Sequence, residues 1–321
     1  MKDALKEGIY RLKLKNVMTP AVEVGAIICH IIKRDKSFLY AHGEYELSKD
    51  EYDLFQKYIA ERESGIPLQY ITGVCEFMSL PFTVNSHVLI PRQDTEVLVE
   101  KVIEHAKTIK APDIKILDIG TGSGCISISL AYYIKNSAVT AVDISEKALE
   151  VAAKNAENNG VSWKISFLKG DLFEPVYNLI NNLKDENLNV KSIVKNKAEN
   201  LRSESENVPN IKGKGLEYFD IIVSNPPYIP TEEIKTLQRE VKDHEPHLAL
   251  DGGKDGLYFY RRIINEAHMY LKAGGLLSFE VGYGQTDDVA ALMEKHYENI
   301  SITRDYSGIE RVVSGMAKGS I

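Results

Sequence analysis

Two short segments combine residue types that can bind a small molecule and position a reacting group. The first is Asp118–Gly124, with the sequence DIGTGSG, which follows an apolar run and opens a helical pattern. Glycines at such a turn permit positive φ angles and close approach of a ligand, and the following helix N-terminus offers unpaired N–H groups. Asp143 ends the next apolar run, nineteen residues after Gly124, where a carboxylate can accept hydrogen bonds from a ribose diol. The combination predicts a site for a nucleoside-containing ligand.

The second segment is Asn-Pro-Pro-Tyr, which directly follows the apolar run 220–224. Two prolines remove two N–H donors and fix φ, so the carbonyl groups there face outward without a strand partner. Asn225 adds a side-chain carbonyl, and Tyr228 adds a flat aromatic face. This slot suits a planar –NH₂ group, because it offers two acceptors for the hydrogens and a ring for stacking. The predicted catalytic residues are Asn225, Pro226 and Tyr228, and the predicted substrate-binding residues are Asn225, Pro226, Pro227 and Tyr228.

The glycine spacing of the first segment resembles that of S-adenosylmethionine-dependent methyltransferases. Its pattern is G-x-G-x-G with an aspartate two residues before the first glycine, whereas the dinucleotide fingerprint is G-x-G-x-x-G. The resemblance implies that Asp118 lies under the methionine part and Asp143 on the ribose, and that Asp171 and Leu172 flank the adenine. The predicted cofactor-binding residues are Asp118, Gly120, Thr121, Gly122, Ser123, Gly124, Asp143, Asp171, Leu172 and Asn225. No metal site is predicted.

The acceptor slot also indicates how the transfer would proceed. An amide nitrogen is a weak nucleophile because its lone pair is delocalised into the carbonyl group. Hydrogen bonds from its two N–H groups to Asn225 and to the Pro226 carbonyl would orient the nitrogen and increase its electron density. Since a sulfonium donor carries an activated methyl group, the displacement needs mainly positioning and charge complementarity. No general base is required.

An alternation of strand and helix patterns from residue 93 onward positions both segments. It predicts an α/β fold: a Rossmann-like class I methyltransferase domain at 93–316, with a mostly parallel sheet and an antiparallel closing strand. A small helical domain at 1–70 and a hairpin-like connector at 71–92, with strands at 77–84 and 88–90, precede it. The predicted strands of the main domain are Lys115–Ile119, Val139–Asp143, Ile165–Leu168, Asp220–Ser224, Leu276–Val281, Ile300–Thr303 and Glu310–Ser314. Its predicted helices are 94–108, 124–135, 146–159, 256–272 and 284–297.

Residues 178–215 interrupt this alternation. They contain nine asparagines, seven basic residues, five acidic residues and no aromatic residue. Such a segment cannot bury enough apolar surface to offset its loss of conformational entropy. The sequence therefore predicts a polar, mobile insertion between the third and fourth strands.

The composition excludes several functional classes. The 321 residues include 39 Lys and Arg against 46 Asp and Glu, a net charge of −7, so the general basic character of proteins that wrap nucleic acid is missing. No apolar run approaches the ~20 residues of a membrane span, and the charged N-terminus lacks the apolar stretch of a signal peptide. Three cysteines are too few for a disulfide framework. We expect a cytoplasmic protein without membrane association or stable nucleic-acid binding.

Further motifs resemble those of the bacterial protein-(glutamine-N5) methyltransferases that modify peptide chain release factors. The resemblance covers nearly the whole chain, and its most specific elements are Pro91–Glu96 and Gly252–Gly256. It implies a helical N-terminal domain that helps to dock the release factor, and S-adenosylmethionine as the cofactor. The implied acceptor is the glutamine of the Gly-Gly-Gln tripeptide in class 1 release factors.

Two other functions stay open from the residues alone. An adenine-N6 methyltransferase acting on DNA or RNA would use the same slot, but it would need base flipping and a basic surface, which the net charge of −7 disfavours. A non-enzymatic protein would use the site only to bind a cofactor or a partner. The presence of an intact acceptor slot beside an intact glycine loop disfavours that function.

Overall fold

The computed structural model describes residues 1–181 and 216–319. The predicted insertion at 178–215 therefore lies outside the described residues, except for its first four. Those four belong to a helix that begins at 174 and is described as far as 181 (α9), and they include the buried side chain of Ile180. Among the described residues, no helix combines the length and the apolar character needed to cross a membrane.

Five helices form the N-terminal part of the chain. Their apolar faces pack into a separate cluster that includes Val24, Ile27 and Phe55. Ser48 forms a capping box with Glu51: its Oγ accepts from the Glu51 N–H at 3.2 Å, and the Glu51 carboxylate accepts from the Ser48 N–H at 2.8 Å. The helices are α1 (Lys2–Leu14), α2 (Pro20–Ile32), α3 (Lys36–Ala41), α4 (Lys49–Glu63) and α5 (Leu68–Thr72).

The connector after these helices differs from its prediction. β1 (Val74–Phe77) and β2 (Leu80–Thr83) form an antiparallel hairpin. The stretch predicted as one strand at 77–84 therefore contains a turn, and residues 88–90 are not a strand. The prediction at 77–84 had the wrong bounds, since only 80–83 forms the second strand, and the strand predicted at 88–90 was wrong; the predicted hairpin is present.

The turn of this hairpin explains the difference. Met78 and Ser79 adopt positive φ angles of 49° and 58°, and the sequence contains no glycine or asparagine there to signal such a turn. Two side chains from elsewhere stabilise it. The Glu96 carboxylate accepts from the Met78 N–H at 2.7 Å, and the Tyr133 hydroxyl donates to the Met78 carbonyl at 2.6 Å.

A seven-stranded sheet with the order β5-β4-β3-β6-β7-β9-β8 organises the rest of the chain. Neighbours among β3 to β7 pair in parallel, and β9 pairs antiparallel with both β7 and β8. The predicted mostly parallel sheet with an antiparallel closing strand is confirmed. The strands are β3 (Ile114–Ile119), β4 (Ser137–Asp143), β5 (Ile165–Lys169), β6 (Phe219–Ser224), β7 (Leu271–Glu280), β8 (Tyr297–Arg304) and β9 (Glu310–Ala317).

Helices cover both faces of the sheet, because alternate strand residues point to opposite sides. Ile221 and Val223 join the apolar cluster on one face, whereas Ile222 joins the cluster on the other. The helices predicted at 256–272 and 284–297 are too long, since Leu271 and Tyr297 begin strands instead of continuing helices. The helices are α6 (Asp94–Ala106), α7 (Cys125–Tyr133), α8 (Glu146–Asn158), α10 (Arg239–His244), α11 (Tyr258–Ala267) and α12 (Thr286–Met293).

Candidate active site

A cavity lies at the carboxyl ends of β3, β4, β5 and β6, the edge at which open α/β sheets bind ligands. The parallel strands bring the two chemical segments to this edge although they are about 100 residues apart in the sequence. The predicted site residues that line the cavity are Gly120, Gly122, Asp143, Asp171, Leu172, Asn225, Pro226 and Pro227.

The glycine loop and the end of β4 form one wall of the cavity. Gly120 and Gly122 have positive φ angles of 75° and 58°, and the direction of a Cβ at either residue is open space. The Asp143 carboxylate accepts from the N–H groups of Gly122 and Ser145, each at 2.8 Å, with one oxygen for each donor. Burial raises the pKa of Asp143, and these hydrogen bonds oppose that rise. Each oxygen keeps a lone pair for a further donor.

Asp118 lies behind this loop and does not line the cavity. Its Oδ2 accepts from the Thr121 hydroxyl at 2.6 Å and from the Ser127 N–H at 3.2 Å, whereas no described group hydrogen-bonds to its Oδ1. Burial raises the pKa of this carboxyl group to about 7. Three further predicted residues also do not line the cavity: Thr121, Ser123 and Gly124. Together with Asp118, they shape the loop.

The end of β5 supplies further lining residues of the cavity. Asp171 and Leu172 line the cavity, and the Asp171 carboxylate forms a two-point ion pair with Arg262 of α11, with N–O distances of 2.6 Å and 3.2 Å. Leu172 has a positive φ of 50°, a conformation that few non-glycine residues adopt. The ion pair therefore fixes a turn of unusual backbone geometry at the cavity wall.

The Asn-Pro-Pro-Tyr segment follows β6 and is tied to its surroundings at several points. The Ser224 hydroxyl donates to the Ile119 carbonyl at 2.7 Å, which joins the ends of β6 and β3. The Asn225 Nδ2 donates to the Thr95 hydroxyl oxygen at 3.2 Å. Tyr228 does not line the cavity, unlike the three residues before it, and burial raises the pKa of its hydroxyl.

Glycines form a close-fitting support around Tyr228. A Cβ at Gly252 would lie 2.7 Å from the Tyr228 Cα, and one at Gly282 would lie 2.9 Å from its ring. Gln285 donates from Nε2 to the Tyr228 carbonyl at 3.0 Å. The Gly-Gly-Lys-Asp-Gly motif therefore has a physical role, since Gly252 and Gly256 let the chain pass directly against the backbone of Tyr228.

Several residues that border the site were missed in the sequence. Thr95 and Glu280 lie behind Asn225, and both are almost fully buried. Glu280 had a usable signal, because it is a carboxylate at the end of an apolar strand on the ligand-binding edge. Thr95 lies in the Pro91–Glu96 motif, but its residue type alone gave no signal of a place beside Asn225. The missed cavity-lining residues include His87, Val88, Leu89, Pro246, Leu248 and Ala249.

The strand order, the glycine loop with an acidic residue after the next strand, and the Asn-Pro-Pro-Tyr segment on one cavity define a Rossmann-like methyltransferase. Within residues 1–181 and 216–319, no group of three or more His, Cys, Asp or Glu side chains is placed to hold a metal ion.

Comparisons with known proteins make this class more specific. Residues 3–73 match the family model described as the PrmC N-terminal domain, and residues 110–307 match a methyltransferase domain. The release factor glutamine methyltransferase of Clostridium acetobutylicum is 35% identical over 320 residues, which covers 99% of each chain. That of Moorella thermoacetica is 37% identical over 313 residues, covering 97% of this chain and 96% of the relative. The chain belongs to the release factor glutamine methyltransferase family, and this membership implies the use of S-adenosylmethionine.

Proposed function

We propose that the chain transfers a methyl group from S-adenosylmethionine to the side-chain amide nitrogen (N5) of a glutamine. The acceptor in this proposal is the glutamine of the Gly-Gly-Gln motif in class 1 peptide chain release factors, in the cytoplasm. The observation that carries the proposal is the Asn225–Pro226 segment, an acceptor-rich stretch on the same cavity as the glycine loop. The substrate protein is inferred from the names of relatives that match nearly the full chain.

The residues of the cavity fit the cofactor. Asp143 has lone pairs available for a ribose diol, and the open space at Gly120 and Gly122 allows close contact with their backbone. Ile144 and Leu172 line the cavity and supply apolar surface for a planar base. S-adenosylmethionine supplies a methyl group activated by a positively charged sulfur, which leaves as a neutral thioether.

The acceptor nitrogen is held by groups of the second segment. The Asn225 Oδ1 and the Pro226 carbonyl each accept one N–H of the glutamine amide, which directs the nitrogen lone pair into the cavity. Tyr228 does not line the cavity, so in this proposal the glutamine side chain extends past the cavity wall to contact the aromatic face of Tyr228. After gaining the methyl group, the nitrogen gives one proton to water. Positioning therefore carries the catalysis.

The division into a helical domain at 1–70, a connector at 71–92 and a methyltransferase domain at 93–316 belongs to the same proposal. The connector supplies cavity-lining residues at 87–89, so it contributes to the site directly. The helical domain is assigned to docking of the release factor. Its contact with the main domain includes the buried Arg62, which pairs with Glu23 of α2 and Glu240 of α10.

Replacement of Asn225 by alanine tests the proposal. We expect Asn225→Ala to abolish methyl transfer to a release factor while the Kd for S-adenosylmethionine stays within about threefold of wild type, because the variant loses an acceptor for the substrate amide. Asn136→Ala is the matched control: this exposed asparagine donates to the Ala111 carbonyl away from the cavity. Full activity of Asn225→Ala would contradict the proposed mechanism.

A further inference from the structure

The side-chain amide of Asn225 is held from behind. Its Nδ2 donates to the Thr95 hydroxyl oxygen at 3.2 Å, across 130 residues of sequence. Thr95 lies in the first turn of α6 and is 2% exposed, and it does not line the cavity. A hydroxyl that accepts from Asn225 still has its own hydrogen to donate.

Glu280 takes part in the same buried contact. It ends β7 and is 2% exposed, and its Oε2 has no hydrogen-bond partner among the described residues. Burial raises the pKa of Glu280 to about 7, whereas hydrogen bonds from Thr95 and Asn225 act in the opposite direction. In its ionised form the Glu280 carboxylate can only accept, and this form favours the donor side of the Asn225 amide facing it.

Because an amide group is planar, the contact between Asn225 and Thr95 determines the direction in which the Asn225 Oδ1 points. The Nδ2 and Oδ1 of Asn225 point in different directions from the same carbon, so holding Nδ2 against Thr95 turns Oδ1 away from it. Asn225 lines the cavity, whereas Thr95 and Glu280 do not. The reversed amide would present N–H groups to the substrate and would attract the glutamine carbonyl oxygen instead of its nitrogen.

We propose that Thr95 and Glu280 are positioning residues that occupy the hydrogens of the Asn225 amide and thereby keep its Oδ1 directed at the acceptor nitrogen. The catalytic consequence of this inference rests on the proposed function. The orientation of the Asn225 amide does not depend on it. The pair acts through Asn225 and selects the nitrogen of the substrate amide as the group that faces the methyl donor.

Kinetics of matched variants test the catalytic part. Thr95→Val removes the hydroxyl with little change of shape, and Thr95→Ser retains it. We expect Thr95→Val and Glu280→Met to lower kcat at least tenfold, with the Kd for S-adenosylmethionine within twofold of wild type. Thr95→Ser should stay within about threefold of the wild-type kcat. Ser278→Ala is the control, because it removes a buried hydroxyl from the same strand as Glu280, bonded to Ser314 at 2.7 Å.

Stability measurements separate positioning from support of the fold. Replacing a buried carboxyl group that has an unpaired oxygen by an apolar side chain of similar length can be neutral or stabilising. We therefore expect Glu280→Met to keep the wild-type Tm or raise it while kcat falls. If the wild-type protein methylates the release factor and Thr95→Val has the same kcat, the inference is overturned. The proposed function is not affected by that result.

A spectroscopic measurement covers the case in which no methyl transfer to a release factor is found. The Asn225 side-chain amide protons, assigned by their loss in Asn225→Ala, should exchange with solvent at least tenfold more slowly than those of an asparagine side chain in an unfolded peptide. Thr95→Val should remove this protection, and Thr95→Ser should keep it. Exchange of the Asn225 amide protons in the wild-type protein at the rate of an unfolded peptide would overturn the inference independently of activity.

Discussion

Gly122 offers a direct test of the assignment of the cavity to the cofactor. We expect Gly122→Ala to weaken binding of S-adenosylmethionine strongly while destabilising the fold only slightly. The matched control is Gly160→Ala, at the end of α8. Both glycines have positive φ angles, 58° and 70°, and a Cβ at either position would point into open space. Only Gly122 lines the cavity.

The structure sets the size of the two effects. An alanine at positive φ costs about 1–2 kcal/mol of backbone strain, and this cost is the same in kind at both positions. In the complex, the new methyl group at Gly122 occupies space that we assign to the ligand. Overpacking of this sort costs about 1–3 kcal/mol, which corresponds to a roughly 5- to 150-fold rise in Kd.

Isothermal titration calorimetry gives the Kd of both variants for S-adenosylmethionine, and denaturant unfolding gives their free energies of unfolding. The expected pattern is equal loss of unfolding free energy in both variants, with a rise in Kd for Gly122→Ala alone. A Kd for Gly122→Ala within twofold of wild type would refute the placement of the cofactor against this loop. An equal loss of affinity in Gly160→Ala would attribute the effect to general destabilisation.

Three further changes test separate parts of the structure. Asp143→Ala should raise the Kd for S-adenosylmethionine roughly a hundredfold, because two hydrogen bonds to a carboxylate contribute about 3 kcal/mol. Since the pKa of Asp118 is raised from 3.8 to about 7, the folded state retains a proton that the unfolded state loses between these pH values. The free energy of unfolding should therefore fall by up to about 4 kcal/mol as the pH rises from 4 to 8, and Asp118→Asn should remove that part of the fall. Arg62→Met should cost about 3–5 kcal/mol, because it leaves Glu23 without its 2.5 Å partner in a largely buried contact.

Each of these predictions has a measurement that can contradict it. Unchanged calorimetric affinity of Asp143→Ala would remove this carboxylate from the ribose site. Identical pH profiles of unfolding for wild type and Asp118→Asn would show that Asp118 titrates normally. Lys169→Met, which breaks the exposed pair with Glu146, should leave the free energy of unfolding almost unchanged. A loss no larger than this in Arg62→Met would contradict a structural role of the buried Arg62 contact.

The sequence predicted best those features that are encoded locally. The Asp118–Gly124 loop and the Asn-Pro-Pro-Tyr segment each lie within a few residues of a strand end, so parallel pairing alone brings them to one edge of the sheet. The capping box at Ser48 is likewise contained in four residues. These patterns needed no knowledge of tertiary contacts.

Features that depend on distant partners could not be predicted in this way. The turn at Met78 has no glycine, and it forms where Glu96 and Tyr133 bond to its backbone. Thr95 and Glu280 meet Asn225 from different parts of the chain, and their burial follows from the packing of α6 against β7. The late helices were predicted too long because no glycine or proline follows their observed ends at Ala267 and Met293 before the strands begin at Leu271 and Tyr297.

Mass spectrometry of an unmodified bacterial class 1 release factor, incubated with this protein and S-adenosylmethionine, shows whether the glutamine of the Gly-Gly-Gln motif accepts the methyl group. A Gly-Gly-Ala version of the factor and a DNA duplex are treated in parallel. We expect one added methyl group on the tripeptide glutamine, and none on the alanine version or on the DNA. Methylation of the duplex without methylation of the factor would contradict the account in favour of an adenine-N6 methyltransferase. Absence of transfer to any of the three acceptors would contradict the proposed activity itself.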